Sequence, residues 1–415
     1  MKQLVCAAVA AAALFGLSNT VQAKSLEDIL RDKGVITEED YKEAVKNNDL
    51  ASYAPGKGIT VQSRDGNYVA HVGGRLQARY TFENFDDNAE EDESSFSIRR
   101  MKFWLSGNVF SKNLTYKWQM NFGGGDSVLE DAWAAYQFAK PFKLTVGQMK
   151  PAQSRQELTS SGKQLFIDRS LANDTFNLGY DLGVQASGNF ADNLVEYMIG
   201  GFNGNGGNES NVEDEHMFAA RIDVNPFGKY KMDEVSFGDD KLLLNIGGSF
   251  ATATFIPGDA GNVSGGNEIY DKALDLDGNT PNSATFIAAF GDELDWDLYT
   301  ANLHARWKGA TFGAEYFRLS AEPDTGDDFD ADGYYVQAGY MVMPKTLELA
   351  VRYSGIESTD DNAPEQFDKQ EYQAGVNYYF AKHNAKLQAD YTHVKDDLND
   401  DADDNIFRVQ AQLIF

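Results

Sequence analysis

Apolar and polar residues alternate over the last ten positions of the chain, from Ile406 to Phe415. One parity is apolar and contains Phe407, Val409, Ala411, Leu413 and Phe415, whereas the other contains Arg408, Gln410 and Gln412. A period of two predicts a β-strand with one apolar and one polar face. A terminal strand has a free edge, and a closed barrel covers that edge by pairing the last strand with the first. Outer-membrane barrels show this pattern, with lipid outside and water inside.

The same alternation recurs from Tyr68 onward in segments of about ten residues, as expected for membrane-spanning strands. Sixteen segments are predicted, and bacterial single-chain barrels have an even number of strands. The segments start near Val69, Phe96, Leu114, Val128, Phe142, Asp181, Leu194, Glu215, Lys241, Trp296, Thr311, Gly333, Leu347, Gln370, Ala385 and Ile406. The predicted fold is therefore an all-β, 16-stranded antiparallel transmembrane barrel.

The connections between these segments alternate between short and long. The short ones include Ser111–Asn113, Ala139–Pro141, Ala191–Asn193, Met343–Thr346 and Ala381–Asn384. The long, polar ones include Asp86–Glu93, Gly204–Asp214, Glu322–Asp332, Glu357–Lys369 and Asp396–Asn405. Outer-membrane barrels have short periplasmic turns and long outer loops, so both termini are predicted to be periplasmic. The alternative, a soluble all-β protein with aromatic cross-strand pairs, does not predict this alternation.

The N-terminal sixty residues differ from the rest. Residues 1–23 combine Lys2, an apolar run and Val21-Gln22-Ala23, which is typical of a cleaved secretory signal. Residues 24–60 are predicted to be a periplasmic helical segment and linker. One predicted helix of this segment, about Glu38–Asn47, begins at the capping-box residues Thr37 and Asp40. Ala51–Gly58 is the predicted linker. This segment either helps subunits associate or forms a partly ordered tail, and residues 61–415 form the barrel.

The formal net charge of −28 weighs against nucleic-acid binding. The acids are concentrated in the long loops, whereas the inward parity of the strands has a basic excess. Its cations include Arg75, Arg79, Arg100, Lys102, Lys117, Arg221, Arg306, Arg352 and Arg408. Basic rings favour the passage of anions through a pore. Alternatively, these cations pair with inward-facing acids and stiffen the wall.

No catalytic residue and no cofactor are predicted. Asp328, Asp330 and Asp332 match half of a calcium loop, but the twelfth position is Gly339 instead of glutamate, which leaves a weak divalent candidate. The five histidines show no zinc spacing. A barrel enzyme is a minor alternative that would require His304. The long loop Ile256–Asp295 either covers the pore or lies on the surface.

Several short stretches occur in a recognisable order. They are Gly74–Gln77, Ile98–Lys102, Tyr116–Gln119, Leu144–Gln148, Glu157–Ser161 and Phe166–Leu171. The chain resembles the phosphate-selective porin O/P family in this set, from the N-terminal helices to Phe415. The resemblance implies a trimeric outer-membrane porin whose third outer loop, roughly Pro151–Tyr180, folds into the lumen as a constriction. Arg155, Lys163 and Arg169 would be its cations, and Arg169 alternatively forms a salt bridge with Asp168, Asp174 or Glu157.

The predicted function is passive diffusion of small hydrophilic solutes across the bacterial outer membrane, with a weak preference for anions such as phosphate. The predicted partners are outer-membrane lipid, further copies in a homotrimer and small inorganic or organic anions. The chain departs from the family because we place no lysine cluster along the pore and the outer loops are acidic. The alternatives are a general or cation-preferring porin governed by those loops, and a plugged structural or adhesive barrel.

Overall fold

The structure is a computed structural model that describes residues 26–41, 50–85, 92–125, 127–210, 214–238, 241–255, 293–359, 368–398 and 403–415. The predicted signal, most of the loop Ile256–Asp295 and parts of the acidic loops lie outside these ranges. The chain divides into two compact units, Met1–Ala51 and Ser52–Phe415. Within the described residues, no helix has both the length and the apolar character needed to cross a bilayer.

The first unit contains helix α1 (Leu26–Asp32). Gly34 follows it with φ +68°, a left-handed conformation that glycine adopts without strain. The next helix begins after Thr37, where Asp40 Oδ2 accepts hydrogen bonds from the Thr37 amide and hydroxyl, and Thr37 Oγ1 accepts one from the Asp40 amide. The predicted capping box is therefore present, and residues 42–49 lie outside the described part of the chain.

Sixteen antiparallel strands, β3 to β18, close into a barrel, which confirms the predicted fold. The last strand pairs with the first, with Ile414 opposite Arg75 and Asp404 opposite Phe85. The strands are β3 (Val69–Phe85), β4 (Glu93–Asn108), β5 (Leu114–Asn121), β6 (Val128–Ala139), β7 (Phe142–Met149), β8 (Asp181–Phe190), β9 (Val195–Phe202), β10 (Met217–Val224), β11 (Leu243–Phe255), β12 (Leu294–Trp307), β13 (Ala310–Pro323), β14 (Phe329–Met343), β15 (Leu347–Ser358), β16 (Asp368–Tyr379), β17 (Ala385–Asp396) and β18 (Asp404–Ile414).

Two short strands precede the barrel where we predicted a linker: β1 (Ala51–Ala54) and β2 (Gly58–Gln62). They pair with each other, and β2 also pairs with the start of β3, with Ile59 opposite Val72. Gly56 and Gly58 have φ values of +74° and +75°, which allows the tight turn between the two strands. Below, the barrel end that contains the short turns and Phe415 is called the turn end, and the opposite end is the loop end.

Tyrosines form a belt on the outer surface. Tyr334 and Tyr353 have ring centroids 5.8 Å apart, and Tyr353 and Tyr372 have centroids 5.0 Å apart. On the loop-end side of this belt the outer surface becomes charged, and Arg318 lies 3.3 Å from Asp332. Aromatic belts of this kind lie at the boundary between membrane and water. The belt thus marks where the wall leaves the lipid.

The inward face is not uniformly polar, contrary to the expected alternation. In the turn-end half of β12, Asn302, His304 and Arg306 point inward, whereas in the loop-end half Trp296 and Leu298 do so and are almost fully buried. The outward residues of β12 change in the opposite direction, from apolar at the turn end to charged at the loop end. β13 follows the same rule, since Phe317, Leu319 and Ala321 are its buried inward residues at the loop end. Part of the lumen is therefore an apolar core.

Candidate functional site

A long connection between β7 and β8 enters the barrel, as the resemblance implied. This inserted loop, residues 150–180, contains two short helices, α2 (Arg155–Leu158) and α3 (Leu171–Thr175), which are capped by Ser154 and Ser170. Most of its residues are buried. The ring of Phe176 stacks on that of Phe317 with 6.0 Å between the centroids, so the loop contributes to the apolar core together with the wall.

Hydrogen bonds attach the inserted loop to several parts of the wall. Glu315 of β13 accepts bonds from the Ser154 hydroxyl at 2.8 Å and from the Gln156 amide at 2.7 Å. The Ile167 amide donates to Asp390 of β17 at 3.2 Å. These contacts lie on separate strands, so the loop crosses the lumen and is fixed at both sides.

A charged cavity of about 460 Å³ lies between the inserted loop and the wall formed by β3 to β6. Seven basic side chains and four carboxylates line it, which leaves an excess of three cations. They are Arg75, Arg99, Arg100, Lys102, Lys117, Lys150, Arg169, Glu130, Asp131, Glu157 and Asp174. This cavity, the basic cavity, is the candidate site for a solute.

Two β-bulges shape the basic cavity. In β4 the pairing passes from Arg100 opposite Gln77 to Ile98 opposite Ala78, so Arg99 is an extra residue and both arginines line the cavity. In β6 the pairing skips Glu130 in the same way, and Glu130 joins Asp131 on the inner face. Bulges break strict alternation and redirect side chains. Sequence analysis therefore missed Arg99 and Glu130, although two adjacent arginines between Ile98 and Met101 were a visible break in the pattern.

Some cations of the basic cavity have carboxylate partners. Lys102 Nζ lies 2.6 Å from Glu130 Oε2, and Lys117 Nζ lies 2.7 Å from Asp131 Oδ2. Arg75 instead donates to the hydroxyls of Ser160 and Ser161 at 3.0 and 2.9 Å. Arg99 is exposed, and within the described residues the structure gives neither Arg75 nor Arg99 an ion pair.

Three arginines surround the carboxylate of Asp168 in the inserted loop. Arg79 donates to both of its carboxylate oxygens, at 2.8 and 2.7 Å, and Arg408 donates at 3.1 Å. Arg100 approaches to 3.9 Å. Burial alone would raise the pKa of Asp168, but these guanidinium groups hold it well below its usual value. Arg79 and Arg408 are therefore neutralised locally and anchor the loop.

Most of the other cations that the sequence predicts to line the pore pair with carboxylates. Arg155 and Arg221 share Asp223 at 3.3 and 2.7 Å, and Arg352 lies 3.2 Å from Glu371. Arg306 lies 4.0 Å from Asp233, Arg169 pairs with Glu157 at 3.0 Å, and Lys163 is exposed. Five of the predicted residues thus line the basic cavity: Arg75, Arg100, Lys102, Lys117 and Arg169. Pairing with acids, the alternative interpretation, accounts for most of the others.

A second connection also enters the barrel, at the end where the sequence predicts the short turns. β10 and β11 are joined by the 18 residues 225–242, of which 225–238 form what we call the inserted turn. Its Tyr230, Glu234 and Val235 are buried. Between this turn and the wall lies a cavity of about 300 Å³, lined by Lys140, Lys143, Lys229 and Lys231. These lysines come from the connection between β6 and β7, from β7 itself and from the inserted turn, so their spacing in the sequence does not reveal the cluster.

In the weak divalent candidate, Arg318 occupies the carboxylates of Asp330 and Asp332. Asp330 and Asp332 belong to strand β14 instead of a loop, and both contact Arg318 on the outer surface. Among the described residues, no group of three or more potential ligands could hold a metal ion. His304 lies 3.4 Å from Glu315 and packs near Tyr230.

Comparison with known proteins gives consistent matches. The family described as "Phosphate-selective porin O and P" matches residues 71–415. An uncharacterized protein of Aquifex aeolicus is 23% identical, with 93% of each chain covered. The structure of an anion-selective porin from Comamonas acidovorans superposes with a TM-score of 0.58 at 10% identity, covering 83% of this chain and 99% of that one. The trimer form of OmpT, an outer membrane protein of Vibrio cholerae, gives 0.53 at 14% identity, with 83% and 99% covered.

Proposed function

Since this chain belongs to the phosphate-selective porin O and P family, we propose that it conducts small anions by passive diffusion. The observation that carries the proposal is the cation excess of the basic cavity, beside a loop that narrows the lumen. Arg75, Arg99 and Arg100 of this cavity lie on adjacent strands. Fixed cations at a narrow point raise the local concentration of anions and exclude cations.

We expect the preference to be weak. Lys102 and Lys117 each face a carboxylate at close range, so their fields partly cancel. The loop end of the barrel also carries acids such as Asp332 and Asp403. At ~0.15 M salt, charges more than about 8 Å away are screened, so the residues within the basic cavity dominate selectivity. Phosphate is one candidate solute among small hydrophilic anions.

The bacterial outer membrane is the location that the family and the fold support. We propose that the turn end faces the periplasm, with both termini there, because short turns lie at the periplasmic end of such barrels. A homotrimer is the proposed assembly, and the trimer form of the Vibrio cholerae protein with the same fold supports it. The N-terminal segment 24–60 is the proposed periplasmic extension.

The test is a reversal potential across a planar bilayer under a KCl gradient, followed by titration with phosphate. We expect a sign that shows anion preference, and block of the current at low phosphate would identify phosphate as a bound solute. Cation preference would contradict the proposal and favour control by the acidic loops. The apolar core favours a second candidate, a plugged barrel, which predicts stable insertion without ion current.

A further inference from the structure

We infer that the inserted turn, residues 225–238, is a second constriction in series with the inserted loop, and that Glu234 is the positioning residue that joins the two. The inference rests on the proposed channel function but not on its anion preference. It concerns which part of the lumen conducts, and how the constriction is kept in place from the turn end.

The length and burial of the inserted turn set it apart from its neighbours. β12 and β13 are joined by two residues and β14 and β15 by three, whereas 18 residues join β10 and β11. The relative exposure is 3% for Tyr230, 4% for Glu234 and 0% for Ser236, so these side chains are inside the protein. A connection that only linked adjacent strands would need a few residues and would remain in solvent.

The wall holds the inserted turn at several points. Thr311 Oγ1 of β13 donates to the Glu234 carbonyl at 2.6 Å, and the Gly309 amide donates to Ser236 Oγ at 3.1 Å. His383 Nε2 lies 2.9 Å from Asp233 Oδ1. The ring of Phe237 meets those of Tyr379 and His383 edge-on, at 4.9 and 5.0 Å. The turn is thus anchored both at the start of β13 and beside the connection between β16 and β17.

Glu234 links the inserted turn to the inserted loop. Its Oε2 accepts a hydrogen bond from the Leu165 amide at 2.7 Å, and its Oε1 accepts one from Gln156 Nε2 at 3.2 Å. The side-chain oxygen of Gln156, Oε1, already accepts bonds from the Ser170 amide and hydroxyl at 3.0 and 2.8 Å, which fixes the orientation of that side-chain amide. Gln156 therefore presents only donors to Glu234, and a carboxylate is the group that satisfies both contacts.

Tyr230 makes a second link. Its ring contacts two guanidinium groups, with Arg155 of the inserted loop at 4.9 Å and Arg306 of β12 at 4.4 Å from the ring centroid. The opposite side of the turn is different, because Lys229 and Lys231 line the open cavity next to β6 to β9. The turn therefore divides the turn-end lumen into a filled side, next to β13 and β16, and an open side that can conduct.

The first experiment replaces residues 229–238 by Asn-Gly and measures single-channel conductance in planar bilayers. Removal of the obstruction should raise the conductance about twofold, since part of the blocked lumen becomes conducting. The matched control is Lys229→Gln with Lys231→Gln, which keeps the turn in place and should alter the reversal potential without that rise. Unchanged conductance in correctly inserted, shortened channels would overturn the inference.

The second experiment keeps the full-length chain and does not depend on the shortened turn folding. The sequence contains a single cysteine, Cys6, within the predicted signal, so Thr311→Cys gives one reactive thiol in the mature chain. The substitution exchanges the hydroxyl that bonds the Glu234 carbonyl for a weaker thiol donor, and it does so equally in every variant compared. Thr311 is buried beneath the turn, and labelling by a charged thiosulfonate should be slow. Adding Glu234→Ala should accelerate labelling about tenfold or more, the change expected when a charge-assisted hydrogen bond is lost.

Equal labelling rates with and without Glu234→Ala would show that Glu234 does not position the turn. Adding Trp296→Ala in place of Glu234→Ala controls for a general loss of stability, because Trp296 is buried in the apolar core at the loop end of β12, away from the turn. The proposed anion preference and the inference about the inserted turn can be contradicted independently of each other. A cation-preferring reversal potential would contradict the proposed anion preference and leave both the conductance and the labelling predictions unchanged.

Discussion

Lys102 and Glu130 form an ion pair inside the barrel, with Nζ 2.6 Å from Oε2, and Glu130 faces inward only because β6 has a bulge at that position. Gln119 donates to the same carboxylate oxygen at 2.6 Å. The acid therefore neutralises a cation that would otherwise act on passing ions. Selectivity in this cavity depends on which cations lack such a partner.

Glu130→Gln should increase anion preference and decrease stability. The substitution removes one carboxylate, so the excess of basic side chains over carboxylates in the basic cavity rises from three to four. Breaking a buried ion pair costs roughly 3 kcal/mol, at the lower end of the usual range because the amide oxygen still accepts a hydrogen bond. The measurements are reversal potential and thermal unfolding of the purified barrel. A reversal potential equal to that of the parent protein would show that Lys102 does not sense the permeating ions.

Arg99→Gln should reduce anion preference with little loss of stability. Arg99 is exposed, lines the basic cavity and, among the described residues, has no carboxylate within ion-pair distance. The matched control is Arg318→Gln, which removes an arginine from the outer surface at the loop end. The control should leave the reversal potential unchanged. A similar shift in both variants would show that net protein charge, and not this position, is responsible.

Anion preference should fall as the pH rises through about 8. Burial lowers the pKa of Lys150 to about 8, although the neighbouring Glu157 favours the charged form. Lys150 lines the basic cavity, so its deprotonation removes one positive charge there. Reversal potentials at pH 7 and pH 9 measure the change. Lys150→Arg keeps the charge at both values and should abolish the difference, and a pH dependence that persists in this variant would assign it to another group.

Phe176→Ala should destabilise the barrel by about 3 to 5 kcal/mol, the usual cost of deleting a buried aromatic ring. The ring is fully buried and stacks on Phe317, so its removal leaves a cavity between the inserted loop and the wall. Thermal unfolding in detergent gives the measurement. Phe96→Ala is the control, because Phe96 is 87% exposed on the outer face. An equal loss in both variants would argue against an apolar core inside the lumen.

The alternation of apolar and polar residues predicts the strands well, since each spanning segment must present one face to lipid. Val69, Leu114 and Phe142 begin strands where we predicted them. The same rule assumes a strict period of two residues, so it cannot predict the bulges at Arg99 and Glu130. The lumen position of the loop came from family resemblance and not from periodicity.

The inserted turn and the apolar core escaped sequence analysis for a different reason. Both depend on contacts between residues that are far apart in the chain, such as Glu234 with Leu165 and Phe176 with Phe317. Local composition does not indicate which face a distant loop will cover. Trp296 and Leu298 therefore follow the parity of lumen residues, although their hydrophobicity is that of a core.

The reversal of polarity along β12 and β13 has a consequence for assembly. Their turn-end halves direct apolar side chains toward the membrane, whereas their loop-end halves direct them against the inserted loop and the neighbouring inward residues of the wall. Those halves therefore cannot reach their final packing until residues 150–180 have entered the lumen. The loop is in this respect an internal template, because the loop-end halves of β12 and β13 and the inserted loop reach their final packing together.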